Sequence, residues 1–299
     1  MSTGVLEPAV EAVAARAGVT LVRTRAEVRA WVAARRAEGK RVGLVPTMGY
    51  LHAGHLSLVD RAREAADAVA MSIFVNPLQF GPGEDLDRYP RNLEGDLALA
   101  GERGTELVFA PPAGEMYPHG QPRVSVLPDD EIGGRLDGGN RPGHFRGVLT
   151  VVAKLFGIFT PDVAVFGQKD WQQASLIRRM VADLDLPVRV DVAPIVREAD
   201  GLAMSSRNVY LSAHERASAL ALSRSLGKAR EMYAAGERDA AVLRGALWSG
   251  ISAPGVEPEY AEVADPDTLA PVGEAAHGTL LAVAARVGST RLIDNALLP

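Results

Sequence analysis

Residues 68–75 read Ala-Val-Ala-Met-Ser-Ile-Phe-Val, an almost unbroken apolar run of strand length. A strand of that composition has no polar face for water, so it must be covered on both sides. The flanking sequence supplies the cover. Strand candidates at residues 19–23, 42–45, 106–109, 162–166 and 188–192 alternate with helix-period segments at 26–38, 55–66, 93–102, 148–159 and 171–184. Strand–helix alternation is the pattern of βαβ units, so the expected class is α/β, a parallel sheet with helices on both faces.

The composition changes after about Arg207. Alanine-rich helices are expected at 212–235 and 239–251, the first opened by a Ser212/Glu215 capping box. Strands follow at 257–263, 279–287 and 291–294, the last two flanking a Gly288-Ser289-Thr290 hairpin turn. The expected organisation is a domain over 1–189 and a smaller α+β domain over 190–299. Between the regular elements, 76–91 and 111–122 read as loops, 124–127 as a short strand, and the stretch with Gly133, Gly134, Gly138, Gly139 and Gly143 as turns. A loop as long as 76–91 is often a lid or a binding loop.

The 299 residues carry 32 Lys and Arg against 37 Asp and Glu, a formal charge of −5. That balance argues against a broad grip on nucleic acid. It leaves room for a small phosphorylated ligand held by a few basic groups. The absence of cysteine removes disulfides, thiolate metal sites and cysteine nucleophiles. No run of 18 apolar residues suggests a membrane span. Residues 1–18, with Glu7 and Glu11 among alanines, do not read as a secretory signal, and the cytoplasm is the expected location.

Four segments carry chemistry. The first is Pro46-Thr47-Met48-Gly49-Tyr50-Leu51-His52-Ala53-Gly54-His55. Two histidines three apart stand where a strand hands over to a helix expected to begin at His55. In an open parallel sheet that edge binds ligands, and a helix N-terminus suits an anion. Gly49 and Gly54 would let a ligand approach the backbone. The pair also has a reading as idle histidines. A zinc reading needs further ligands and lacks the metalloprotease spacing.

The second segment, Gly167-Gln168-Lys169-Asp170-Trp171-Gln172-Gln173, repeats the strand-to-helix arrangement. Lys169 is a point charge suited to phosphate. Asp170 reads equally as an N-cap, and Gln173 as a ligand contact or a solvated helix residue. The third, Met204-Ser205-Ser206-Arg207-Asn208, offers two hydroxyls and a guanidinium to a triphosphate, or simply caps the next helix. Arg197-Glu198-Ala199-Asp200-Gly201 adds a turn that would present it. The fourth, Phe74-Val75-Asn76-Pro77-Leu78-Gln79-Phe80, sets two amides beside apolar side chains, a composition suited to a small polar acid.

In this order, these four segments resemble the pantothenate synthetase (pantoate–β-alanine ligase) family, from about residue 20 to Asn295. Pro46 to His55 is similar to its Pro-Thr-Met-Gly-Ala-Leu-His-x-Gly-His signature, and Ser72 to Phe80 to Ser-Ile-Phe-Val-Asn-Pro-x-Gln-Phe. Gly167 to Gln173 is similar to Gly-x-Lys-Asp-x-Gln-Gln, and Arg197 to Arg207 to Arg-Glu-x-Asp-Gly-Leu-Ala-Met-Ser-Ser-Arg. Tyr50 stands for the usual Ala, Ala53 for Glu, Gln168 for Glu and Trp171 for Tyr.

The resemblance implies a Rossmann-like fold of the nucleotidylyl-transferase group. It implies a two-step ligation of pantoate and β-alanine through pantoyl adenylate, with ATP as co-substrate and Mg²⁺ accompanying it through phosphate oxygens and water. His52 and His55 would contact phosphates, with His55 the proton donor. Lys169 would stabilise the α-phosphate, and Ser205, Ser206 and Arg207 the β- and γ-phosphates. Met48, Gly49, Tyr50, Leu51, Ala53, Gly54, Gly167, Gln168, Asp170, Val196 and Met204 would complete the ATP site. Gln79, Gln173 and Asn76 would hold pantoate or β-alanine. No residue is assigned to a metal. The 76–91 loop would gate the adenylate from water, the C-terminal domain would close over the nucleotide, and the assembly would be a homodimer. Rival readings are another adenylyl- or cytidylyl-transferase, an aminoacyl-tRNA synthetase without a basic tRNA module, or a non-catalytic nucleotide sensor.

Overall fold

The computed structural model describes residues 7–299 and divides the chain into two compact units. The first runs to Leu127 and takes in 143–167 and 177–193; the second is 128–142, 168–176 and 194–299. The reading of the N-terminus as lacking a secretory signal falls partly on residues 1–6, outside the described residues.

The first unit is built on six parallel strands: β1 (Thr20–Val22), β2 (Val42–Thr47), β3 (Ala68–Ile73), β4 (Leu107–Phe109), β5 (Val163–Gly167) and β6 (Arg189–Ala193). Their order is β1-β4-β3-β2-β5-β6. Leu44 of β2 pairs with Ala70 on one side and Ala164 on the other, and all three are fully buried. The apolar runs in the sequence are therefore central strands. Helices Ala53–Ala65, Leu93–Glu102 and Glu7–Arg16 bury Val59, Ala62, Leu97, Ala100 and Val10 with Val45, Met71 and Val108. Helices Arg25–Ala37 and His144–Phe159 pack together against β2 on the other face, where Phe159 meets Phe109 edge-on at 5.9 Å. The expected α/β class with helices on both faces is what forms.

Strand β2 has β3 on one side, reached through the helix Ala53–Ala65, and β5 on the other. The winding reverses between β2 and β5. In open α/β sheets the carboxyl ends at such a reversal form the ligand-binding crevice. The chain leaves β2 at that end through an unusual turn. Thr47 Oγ1 donates to Ser72 O at 2.8 Å and accepts from Gly49 N at 3.2 Å. Gly49 and Tyr50 then both take the left-handed conformation, at φ 85° and 53°. Gly49 must be glycine for a further reason: a Cβ there would lie 2.9 Å from Asp96 Oδ2. Tyr50 has no such exemption, and a non-glycine residue in this region costs roughly 1–2 kcal/mol. Asp96, buried in the first turn of the helix Leu93–Glu102, offsets that cost by accepting from Tyr50 N at 2.9 Å and Leu51 N at 2.7 Å. Burial pushes its carboxyl pKa up, and the two N–H donors pull against it.

The second unit holds an antiparallel sheet of β7 (Val256–Ala264), β8 (Leu280–Val287) and β9 (Thr290–Leu297). Val287 pairs with Thr290 across a two-residue Gly288-Ser289 turn, with Gly288 left-handed at φ 57°. Helices Ala213–Ala234 and Ala240–Ile251 cover the sheet and bury Leu222, Leu226, Leu243, Leu247 and Ile251 with Leu281 and Val283. The Ser212/Glu215 capping box is present, as the sequence suggests.

Several sequence expectations need correction. Residues 124–127 form no strand: Val126 N–H donates to Thr150 Oγ1, which donates back to Val126 O, so a side chain does the work of a neighbouring strand. The 111–122 loop contains a helical turn at Ala113–Met116, and the 76–91 loop a 3₁₀ turn at Pro77–Gln79. The glycine-rich stretch holds short helices at Asp130–Gly133 and Leu136–Asn140, and β9 is twice the expected length because it pairs with β8 throughout. The helix after β2 begins at Ala53 rather than His55, because His52 is itself the cap.

Replacing Asp96 with alanine leaves two amide N–H groups without an acceptor. Each such group costs about 1–3 kcal/mol, so Asp96→Ala is expected to lower stability in urea denaturation by about 2–4 kcal/mol. Asp96→Asn, which keeps one acceptor oxygen, is expected to fall between. A loss below about 0.5 kcal/mol in the alanine variant would mean the carboxylate does not hold this turn.

Candidate functional site

In the first unit the two histidines lie at the carboxyl end of β2. His52 has extended backbone and caps the helix Ala53–Ala65, its Nδ1 accepting from Gly54 N at 3.2 Å. An accepting Nδ1 carries no proton, so the imidazole's remaining nitrogen, Nε2, is an N–H donor. His55 sits in the first turn, with its backbone N bonded to His52 O at 2.8 Å. The two rings are 4.1 Å apart between centroids. Both are half-buried, as are Met48, Tyr50 and Gly54, while Leu51 is buried and Ala53 exposed.

The segment after β3 belongs to the same unit. Asn76 is only 1 % exposed and caps the 3₁₀ turn, its Oδ1 accepting from Leu78 N at 3.3 Å and from Tyr117 Oη at 2.8 Å. Its Nδ2 donates to Gly147 O and to Gln79 Oε1, both at 3.1 Å. An amide has two acceptor and two donor positions, and Asn76 spends all four inside the protein. Gln79 is thereby oriented, with Nε2 directed to Met48 Sδ at 3.2 Å. His144 Nδ1 lies 2.8 Å from Gln79 O. The helix His144–Phe159 approaches so closely that a Cβ on Gly147 would be 2.3 Å from Leu78 O. Asn76 therefore supports Gln79, and Gln79 is the amide presented.

In the second unit, Lys169 lies in a 3₁₀ turn, Gln168–Asp170, directly ahead of the helix Trp171–Asp183. Asn295 of β9 holds that turn: its Nδ2 donates to the carbonyls of Gln168 and Lys169, both at 2.9 Å, and its Oδ1 accepts from Gln168 Nε2 at 3.2 Å. Gln168 therefore spends its side-chain N–H on Asn295. Lys169 keeps a long 3.7 Å contact with Asp170 and retains 20 % side-chain exposure. The adjacent glutamines part company. Gln172 is buried: its Oε1 accepts from Asp137 N at 2.9 Å and its Nε2 donates to Ile132 O and Arg135 O. Gln173 is half-buried and makes no hydrogen bond to another described residue.

The Met204–Asn208 segment follows a small hairpin in which Arg197 bridges Ala203 and Met204 N bonds Val196 O at 3.0 Å. Arg197 forks onto the buried Asp294 of β9 at 2.6 and 3.0 Å. Burial raises the Asp294 carboxyl pKa, and Arg197 opposes the rise. Asn208 Nδ2 donates to Glu198 Oε1 at 2.7 Å and to Ala203 O at 3.1 Å, while Arg216 joins Glu198 and Asp200. Ser205 Oγ accepts from Arg207 N at 3.3 Å and so caps the 3₁₀ turn Ser206–Tyr210. Ser206 is buried; Ser205, Met204, Val196 and Arg207 are half-buried. Thus the structure brings together His52 with His55, Asn76 with Gln79 and Met48, and Ser205 with Arg207.

The sequence reading missed the residues that hold these groups: Asp96, Tyr117, Asp294 and Asn295. The last two had a signal, since polar neighbours inside a strand need partners there. Asp96 had only its place in a helix's first turn, and Tyr117 lay in what reads as loop.

A family model described as pantoate-beta-alanine ligase matches residues 20–297. The chain is 55% identical over 280 residues to the pantothenate synthetase of Moorella thermoacetica, covering 93% of this chain and 98% of that protein. It superposes on the crystal structure of pantothenate synthetase from Thermus thermophilus with TM-score 0.89 and 47% identity, over 94% of this chain and 100% of that one. The pantoate-beta-alanine ligase of Francisella tularensis, solved in complex with beta-gamma ATP and beta-alanine, is similar at TM-score 0.72 and 31% identity, over 93% and 97% of the two chains. Four motif segments in family order, and a parallel sheet with the histidines at its winding reversal, agree with these matches, and the chain belongs to the pantoate–β-alanine ligase family.

Proposed function

We propose that the residues described above carry out ATP-dependent ligation of pantoate to β-alanine, the activity of this family. The observation that carries the residue assignment is the position of His52 and His55, at the carboxyl end of β2 where the winding reverses. The first step transfers AMP: a pantoate carboxylate oxygen attacks the α-phosphorus, the bond to the leaving pyrophosphate breaks, and pantoyl adenylate forms. In the second, the β-alanine amine attacks the acyl carbon, loses a proton and expels AMP.

The first step asks for positioning and for donors aimed at phosphate oxygens. His52 offers Nε2–H because its Nδ1 is committed to the helix cap. His55 contacts phosphate and supplies a proton. Lys169 stabilises the α-phosphate, while Ser205, Ser206 and Arg207 take the β- and γ-phosphates. Met48 to Gly54, Gly167, Gln168, Asp170, Val196 and Met204 complete the nucleotide site. Gln79 and Gln173 hold pantoate, with Asn76 behind Gln79. The donor set of imidazole, ammonium, hydroxyl and guanidinium fits phosphate oxygens better than a metal ion, so Mg²⁺ enters as part of the nucleotide, held by phosphate and water. Residues 76–91 gate the site, 1–189 bind ATP and pantoate, and 190–299 supply the C-terminal donors.

The protein works in the cytoplasm as a homodimer. Among the described residues no helix is long and apolar enough to cross a membrane. Residues 124–127 favour the dimer reading, since Val124 and Leu127 are 87% and 64% exposed on a segment that pairs with no strand among the described residues. Replacing both with aspartate is expected to halve the mass measured by light scattering; an unchanged mass would place the interface elsewhere.

Two activity measurements test the chemistry. Exchange of labelled pyrophosphate into ATP is expected only when pantoate is present, and AMP release only when β-alanine is added. Exchange without any acid would favour a simple nucleotidyl transferase, and ATP binding without exchange a sensor. Lys169→Ala is expected to lower kcat at least about a hundredfold, roughly 3 kcal/mol of transition-state stabilisation. A near-parental kcat would remove Lys169 from the mechanism.

A further inference from the structure

Tyr117 lies just past the helical turn Ala113–Met116, outside every motif segment. It is 8 % exposed, its ring tilts against Phe74 at 6.1 Å between centroids, and Lys154 Nζ stands 5.7 Å from the ring centre. Packing accounts for the ring but not for the hydroxyl, which is aimed at Asn76 Oδ1 at 2.8 Å. Burial pushes the phenol pKa well above its ordinary value, so the hydroxyl keeps its proton and remains a donor.

The direction of that bond has consequences along the chain of amides. Two donors, Tyr117 Oη and Leu78 N, converge on one terminal atom of Asn76, so that atom must be the oxygen. The nitrogen then faces Gly147 O and Gln79. The atom of Gln79 nearest it must accept, which makes it Oε1 and leaves Nε2 on the opposite side, toward Met48. A glutamine able to flip would present an acceptor half of the time. This one keeps its Nε2 end on the Met48 side, and that amide end is the one the acid substrate's carboxylate or hydroxyl oxygens would meet.

We propose that Tyr117 is a positioning residue for the acid substrate: acting through Asn76, its hydroxyl fixes the Gln79 amide with Oε1 toward Asn76 and Nε2 toward Met48. This rests on the reading of Gln79 as a pantoate-binding residue. Tyr117 acts alongside Leu78 N–H and Gly147 O, which also orient Asn76, so its removal loosens the relay rather than abolishing it.

The test is steady-state kinetics of pantoate-dependent pyrophosphate exchange in Tyr117→Phe, Gln79→Ala and the double variant. Phenylalanine keeps the ring contacts and removes only the hydroxyl. Tyr117→Phe is expected to raise the KM for pantoate about fivefold, with the KM for ATP and the Tm little changed. The double variant is expected to be no worse than Gln79→Ala, because residues in one network do not add. An unchanged pantoate KM in Tyr117→Phe, beside a raised one in Gln79→Ala, would overturn the relay. So would equal rises for both substrates, or effects that multiply in the double variant. An unchanged pantoate KM in Gln79→Ala would instead refute the assignment of Gln79, and the relay with it. If Tyr117→Phe does not fold, Asn76→Asp serves: it keeps an acceptor for Tyr117 and Leu78 but loses the donor to Gln79, and is expected to raise the pantoate KM likewise. An unchanged value there would also overturn the proposal.

Discussion

A buried carboxylate that accepts two consecutive backbone N–H groups decides where the histidines stand. Leaving β2, the chain must reverse direction within a few residues to enter the helix Ala53–Ala65. It does so with Gly49 and Tyr50 both left-handed, a conformation unfavourable for tyrosine and closed by sterics to anything but glycine at 49. Asp96 makes this turn the stable one. Moving the turn by one residue would rotate His52 out of the cap. The sheet supplies the crevice; Asp96 supplies the register of what is hung on it.

The adjacent glutamines Gln172 and Gln173 have different surroundings. Gln172 donates twice and accepts twice within the protein, pinning residues 132–138 to the start of the helix Trp171–Asp183. Gln173 is half-buried with no bond to another described residue. Asn76 and Gln79 differ likewise: Asn76 is buried with four hydrogen bonds inside the protein, while Gln79 is half-buried.

The fold was legible because burial on both faces leaves a plain mark: residues 42–45 and 68–75 admit hardly any other reading. The motif groups His52, Lys169 and Arg207 were legible as types and only partly as geometry. The helix start was misplaced because histidine is an uncommon N-cap, so nothing local announced that His52 would accept from Gly54. The strand expected at 124–127 failed for another reason. Its β-branched alternation is real, but its hydrogen bonds go to Thr150, a residue inside a helix that no local pattern links to it. Asp96 and Tyr117 were missed for the same cause: each acts on a residue more than 40 positions away. Local pattern reports what a residue is, whereas support is a long-range property.

A chain with a formal charge of −5 must hold a polyanion without a favourable overall field. Its motif side chains meet this by a shared local device. Histidine, serine and glutamine can each donate or accept, so in isolation each is ambiguous toward phosphate or carboxylate. His52 Nδ1 accepts from Gly54 N, Ser205 Oγ accepts from Arg207 N, and Gln79 Oε1 accepts from Asn76, which is itself the cap of a 3₁₀ turn. In every case an accepting position of the side chain is taken up within the protein. Helix and turn caps therefore do two things at once: they end the backbone's need for acceptors, and they turn amphoteric side chains into donors. On the proposed assignment of these residues, anion recognition would follow from the polarity of the groups rather than from the sum of the charges.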